Sequence, residues 1–110
     1  MNLNEYQELA SRTANDDILL VKNLCHYSMG TNGEAGEVED EIKKFAFQGH
    51  ELNREKVAKE LGDVMWYISQ LARVLGYTLE EIAQMNVEKL IKRYPSGFKS
   101  EDSLKRVDVK

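Results

Sequence analysis

Glu60 and Asp63 stand three residues apart in Glu60-Leu61-Gly62-Asp63-Val64-Met65-Trp66, the most apolar stretch of the chain. At helical spacing they are neighbours on one face. Asp and Gly each disfavour a helix interior, by roughly 0.7 and 1 kcal/mol, so packing alone does not account for them there. A second stretch, Gly33-Glu34-Ala35-Gly36-Glu37-Val38, repeats the pattern with Glu34 and Glu37 among residues small enough for a backbone or ligand to come close. Packed side by side, two such pairs would gather four carboxylates in one small volume. Like charges at that range raise one another's pKa. They become favourable around a hard divalent cation, which takes oxygen ligands and keeps sites for water and phosphate oxygens. The chemistry that follows is metal-assisted attack on a phosphate. The bland alternative is a solvated acidic face, since nineteen acids in 110 residues produce such pairs by chance. That alternative weighs more on Glu34 and Glu37 than on Glu60 and Asp63, which sit among Leu61, Val64 and Trp66. Glu41 continues the Glu34/Glu37 face, and Glu39 points to water.

A basic group lies further on. Asn86, Lys89 and Arg93 fall at i, i+3 and i+7, one helix face, just before Tyr94-Pro95. A Lys and an Arg on one stripe would hold a polyphosphate, the Arg as a two-pronged fork. Cations near a helix C-terminus are also favoured by its dipole alone. His26 and His50 lack metal-ligand spacing, and no Glu-x-x-His occurs, which argues against a di-iron bundle. His50 is a loop residue that could line the site. Trp66 reads as core or as a wall beside a substrate, and Cys25 as a small buried hydrophobe.

The elements that must position these residues are helices. Apolar residues recur at helical spacing, strand-like alternation is absent, and the only proline is Pro95. The pattern predicts a first helix from Leu3 to about Thr13, with Leu3, Tyr6, Leu9 and Ala10 on its stripe. A second runs from about Ile18 to Ala46 and carries Gly30, Gly33 and Gly36. Three glycines cost a helix ~2–3 kcal/mol against alanine, so either it breaks near Thr31-Asn32-Gly33 or something approaches its backbone. A third spans Asn53 to Leu75, with Val57, Leu61, Val64, Met65, Ile68 and Leu71 on its stripe and Gly76 as its stop. The fourth opens on a capping box, Thr78 with Glu81, and ends at Tyr94-Pro95-Ser96-Gly97. The polar tail from residue 99 to 110 is expected to dock loosely or fray.

The ordered set Gly33-Glu34-Ala35-Gly36-Glu37-Val38, Lys43-Lys44 and Glu60-Leu61-Gly62-Asp63-Val64-Met65-Trp66-Tyr67 resembles the MazG-like nucleotide pyrophosphohydrolases, of the all-α NTP pyrophosphatase superfamily. So does the ending Asn86-x-x-Lys89-Leu90-x-x-Arg93-Tyr94-Pro95-x-Gly97-Phe98. Gly49-His50-Glu51-Leu52, the opening Glu5-Tyr6-Gln7 and the pair Arg12-Thr13 fit members of this size. The resemblance implies an all-α four-to-five-helix bundle completed by oligomerisation, as a homodimer or homotetramer, with residues 1–98 as the catalytic domain. It implies Glu34, Glu37, Glu60 and Asp63 as catalytic metal ligands for Mg²⁺, with Mn²⁺ as a substitute. Lys89 and Arg93 would hold the triphosphate, with Asn86 and Tyr94 as further contacts. The implied reaction is hydrolysis of a (deoxy)nucleoside triphosphate to the monophosphate and pyrophosphate by metal-activated water. Many relatives carry an apolar run before the first glutamate, whereas this chain has Met29-Gly30-Thr31-Asn32, which bears on the base recognised. The closest enzymatic rival is a phosphoribosyl-ATP pyrophosphohydrolase. A non-catalytic helical oligomerisation module would fit better had one of the four acids been lost.

Composition agrees. Fifteen basic against nineteen acidic residues give a net charge of −4, which offers nucleic acid no global basic field. A single cysteine and the absence of a leader-like start or an apolar run of ~20 residues predict a cytoplasmic protein with no membrane span.

Overall fold

Asn2 caps the first helix, α1 (Leu3–Ser11), by accepting the Glu5 backbone N–H at 2.8 Å. In the computed structural model, which describes residues 1–109, every regular element is helical. The second helix, α2 (Leu20–Phe47), starts without a side-chain cap of its own. Instead the Asp17 carboxylate accepts the Leu19 N–H at 2.8 Å, and the buried Asn23 side chain folds back onto the Asp17 backbone, accepting its N–H at 2.7 Å and donating to its carbonyl at 2.9 Å. Asn53 caps α3 (Arg54–Val74) through the Lys56 N–H at 3.0 Å. Gly76, at φ +88°, ends the passage out of it. The capping box forms at α4 (Leu79–Arg93): Thr78 Oγ1 accepts from Glu81 N at 3.1 Å, and the Glu81 carboxylate accepts from Thr78 N at 2.9 Å.

The dominant packing is the α2–α3 hairpin, with α1 lying on α3 and α4 at the corner. α2 does not break at its glycines. At Gly30 the Tyr67 ring of α3 lies so close that a Cβ would sit 2.1 Å from its Cε1 atom, so close approach is why glycine stands there. At Gly33 and Gly36 a Cβ would meet nothing within 4 Å.

The centre is polar. Buried Gln7 donates to the backbone carbonyls of Ser69 and Tyr77 at 3.0 and 3.1 Å and accepts the Leu79 N–H at 2.9 Å, joining α1, α3 and α4. The inward face of α1 is therefore Gln7 and Ala10; Leu3 and Leu9, placed on an inward stripe by periodicity, face outward. Hydrogen bonds rather than apolar area fix this helix. Cys25, expected inside, is exposed, because the inward residues Asn23 and Tyr27 lie on the other side of the helix.

Two more features concern coverage. The tail, expected to dock loosely or fray, forms α5 (Ser100–Lys105) and a 3₁₀ turn (Val107–Val109) that packs against α4. Much of the α3 stripe is uncovered in the single chain: Leu61, Met65 and Ile68 are exposed. The radius of gyration is 17.0 Å, against about 13 Å for a compact chain of this size. No helix among the described residues is long and apolar enough to cross a membrane.

Candidate functional site

Glu34 projects from the middle of α2, and Glu60 and Asp63 from the first half of α3, where the hairpin faces them toward one another. One carboxylate oxygen from each lies within 4.8 Å of the other two. Burial, then the charges of Asp63, Glu60 and Glu37, hold the Glu34 carboxyl above the usual carboxylate range. Among the described residues none of the three carboxylates has a hydrogen bond or an ion pair. The nearby lysines are engaged elsewhere: Lys43 and Lys44 with Asp40 at 3.1 and 3.0 Å, Lys56 with Glu41 at 3.0 Å, Lys59 with Glu55 at 3.4 Å. Three unpaired hard oxygen donors on two rigid helices, kept clear of lysine, fit a divalent cation. Glu37, one turn further along α2, is exposed and stands outside this trio, though close enough to act on Glu34.

Beside the acids opens a cleft of about 380 Å³ lined by Thr13, Glu34, Asp63, Trp66 and Tyr67. Trp66 forms its wall. Its indole N–H is shared between the Ala10 carbonyl at 3.1 Å and Thr13 Oγ1 at 3.0 Å, which ties the end of α1 to the cleft. Tyr6, placed by periodicity on the α1 stripe, also neighbours the site: burial and then the Asp63 charge raise its pKa. His50 is exposed in the loop after α2 and is not among the residues lining the cleft.

The start of α2 is built differently, although Tyr27 also packs edge-on against Trp66. Arg73 donates to both oxygens of Asp16, at 2.9 and 2.8 Å, and the Tyr27 hydroxyl donates to the same carboxylate. The Arg73 and Tyr27 bonds hold Asp16 below the usual carboxylate range. Burial and the Asp16 bond push Tyr27 up to about 12.

The basic residues belong to α4. Asn86, Lys89, Arg93 and Tyr94 share the last turns of α4, and the Arg93 guanidinium sits over the Tyr94 ring, 5.0 Å from its centroid. Among the described residues none of these four bonds to an acid of the α2–α3 trio. Lys89 and Arg93 instead face Asp108 of the tail, at 4.0 and 3.9 Å. The chain by itself thus brings three of the four expected metal ligands together, while the expected phosphate residues are not among those lining the cleft.

Residues 22–98 match the MazG nucleotide pyrophosphohydrolase domain. The chain is also similar to the Gene 37 protein of Mycobacterium phage L5, at 37% identity over 105 residues, which covers 88% of this chain and 92% of that protein. No solved structure matches the chain.

Proposed function

From the premise that the chain belongs to the MazG nucleotide pyrophosphohydrolase family, we propose that it hydrolyses (deoxy)nucleoside triphosphates between the α- and β-phosphates, releasing the monophosphate and pyrophosphate. The observation that carries this reading is the trio Glu34, Glu60 and Asp63, converged and unpaired. These three would hold Mg²⁺ or Mn²⁺, with Glu37 one turn away as the fourth carboxylate. When bound, such a cation supplies Lewis acidity, neutralising phosphate charge and easing deprotonation of water. The protein's own part is positioning. A carboxylate of α2 takes the proton of the attacking water, and Trp66 and Tyr67 wall the cleft in which the reacting phosphate lies. Lys89 and Arg93, with Asn86 and Tyr94, hold the charge that leaves as pyrophosphate.

In this reading two chains combine so that the basic residues of one meet the acids of the other, and the active form is a homodimer or homotetramer. Two measures of the single chain support this. Its accessible surface is 8154 Å², about 2,000 Å² beyond what a folded monomer of this mass exposes. The exposed residues Leu61, Met65 and Ile68 run along the same helix as Glu60 and Asp63, so covering them would also fix the ligand spacing. The reaction would serve the nucleotide pool of the cytoplasm.

The test is a panel of ribo- and deoxynucleoside triphosphates with Mg²⁺, scored for products. Monophosphate and intact pyrophosphate, abolished by EDTA and restored by Mg²⁺ or Mn²⁺, are expected; release of single phosphates from fresh substrate, or full turnover in chelator, would overturn the reading. Ile68→Glu should weaken assembly and activity together, with partial recovery at high protein concentration, as read by sedimentation beside specific activity.

A further inference from the structure

The Asp108 carboxylate has no exposed side-chain surface, and three cations surround it. Arg106 Nε lies 3.4 Å and Arg93 Nε 3.9 Å from its Oδ1, and Lys89 Nζ lies 4.0 Å from its Oδ2. The fit is loose. Asp108 Oδ2 and Arg93 Nε are both buried without a hydrogen-bond partner, and the one side-chain bond that forms, from Arg106, is long. Arg93 Nη2 donates to Ser103 Oγ at 3.1 Å, which sets a hydroxyl beside the cage. Arg106 takes left-handed backbone, φ 49°, where the tail turns back toward α4. Unpaired buried donors and acceptors are costly, and three cations about one carboxylate leave surplus positive charge. An anion with more charge and more oxygens suits this cage better, and a phosphoryl group brings three acceptor oxygens.

We propose that Lys89, Arg93 and Arg106, with the Ser103 hydroxyl, form a binding site for a phosphate or pyrophosphate group, and that Asp108 is its tethered occupant, displaced when the anion enters. The link to catalysis rests on the reading above, in which Lys89 and Arg93 hold the leaving pyrophosphate; Arg106, Ser103 and Asp108 are added here. A tail on a short tether competes at high local concentration. If it fills the cage most of the time, apparent affinity for a free anion falls by the fraction of time the cage is open.

The experiment titrates inorganic pyrophosphate, inorganic phosphate and a nucleoside triphosphate separately into the full chain in EDTA, by calorimetry, for wild type, Asp108→Asn and Arg106→Gln. Asp108→Asn should bind pyrophosphate about tenfold more tightly, and Arg106→Gln more weakly than wild type. The ranking of the three probes tells whether the cage takes a free anion or the phosphate end of a nucleotide. A second measurement needs no variant: amide exchange over residues 107–109 of the wild type should quicken when pyrophosphate is added. Asp108→Asn binding no tighter than wild type, or a tail whose exchange ignores pyrophosphate, would overturn the proposal and make Asp108 a plain structural clamp. In steady state the same variant should lower KM with kcat unchanged. A wild type that hydrolyses no triphosphate, yet shows the tighter pyrophosphate binding in Asp108→Asn, would keep the anion site and discard the activity.

Discussion

The two halves of α2 obey different rules. In the first half, Asn23 and Tyr27 are buried, Gly30 is pressed by Tyr67, and the neighbouring acid Asp16 has every oxygen taken by Arg73 and Tyr27. In the second half no residue is buried, Gly33 and Gly36 face open space, and Glu34 meets Glu60 and Asp63 with no cation between them. One helix thus carries an architectural segment, where the neighbouring acid Asp16 has its partners inside the chain, and a segment where Glu34 faces two further acids while the nearby lysines pair with Asp40 and Glu41. Like charges held close together without a counter-charge are costly by themselves.

The sharpest way to break this comparison is to neutralise one acid that faces each half, Asp63 of α3 and Asp16 of the segment before α2. Asp63→Asn should lower kcat by about 100-fold or more, while the metal-free protein melts at the same temperature or slightly higher because a repulsion is relieved. Near-normal turnover would show that the open half is structural after all. Next in size is the glycine contrast. Gly30→Ala should cost about 1–3 kcal/mol, because the new Cβ would lie 2.1 Å from the edge of the Tyr67 ring. Gly33→Ala should leave metal-free stability unchanged or raise it by up to about 1 kcal/mol. Denaturant melts of the two would decide, and equal costs would contradict the difference between the halves. Asp16→Asn should keep turnover and lose about 1 kcal/mol, a modest figure because the pair is screened by solvent, with side chains 33% and 37% exposed.

The smallest effect is a pH signature in chelator. Glu34 has its folded pKa raised, so the folded state takes up its proton first, and stability rises as pH falls through that raised value. Asp16 has its folded pKa lowered, so its contribution is present above the unfolded value and lost as pH falls through the folded one. The melting temperature should therefore climb on mild acidification and then drop. Glu34→Gln should remove the climb, and Asp16→Asn should soften the drop.

What the sequence made legible follows the range of the interactions. The starts of α3 and α4 were readable because Asn53 and the Thr78/Glu81 box act within three residues. The juxtaposition of Glu34 with Glu60 and Asp63 was foreseeable from two acid pairs in neighbouring helices, whereas Glu37 standing apart was not, since one turn of offset is invisible in spacing. The docking of α1 escaped periodicity because Gln7 bonds to backbone groups 62 to 72 residues away. Of the two explanations open for the glycines, close approach holds at Gly30 alone, and only the Tyr67 ring reveals it. The tail was unreadable for a similar reason: nothing local in Val107-Asp108-Val109 says that Asp108 returns to Lys89 and Arg93.

Trp66 is the only tryptophan in the chain, and it stands in the wall of the cleft with its ring edge-on to Tyr67, centroids 4.9 Å apart. The protein therefore carries its own optical gauge. All indole emission has a single source, and that source shares a hydroxyl, Thr13, with the cleft lining. Titrating Mg²⁺ and then nucleotide while recording emission would test occupancy of the cleft directly, with no label attached and no turnover required.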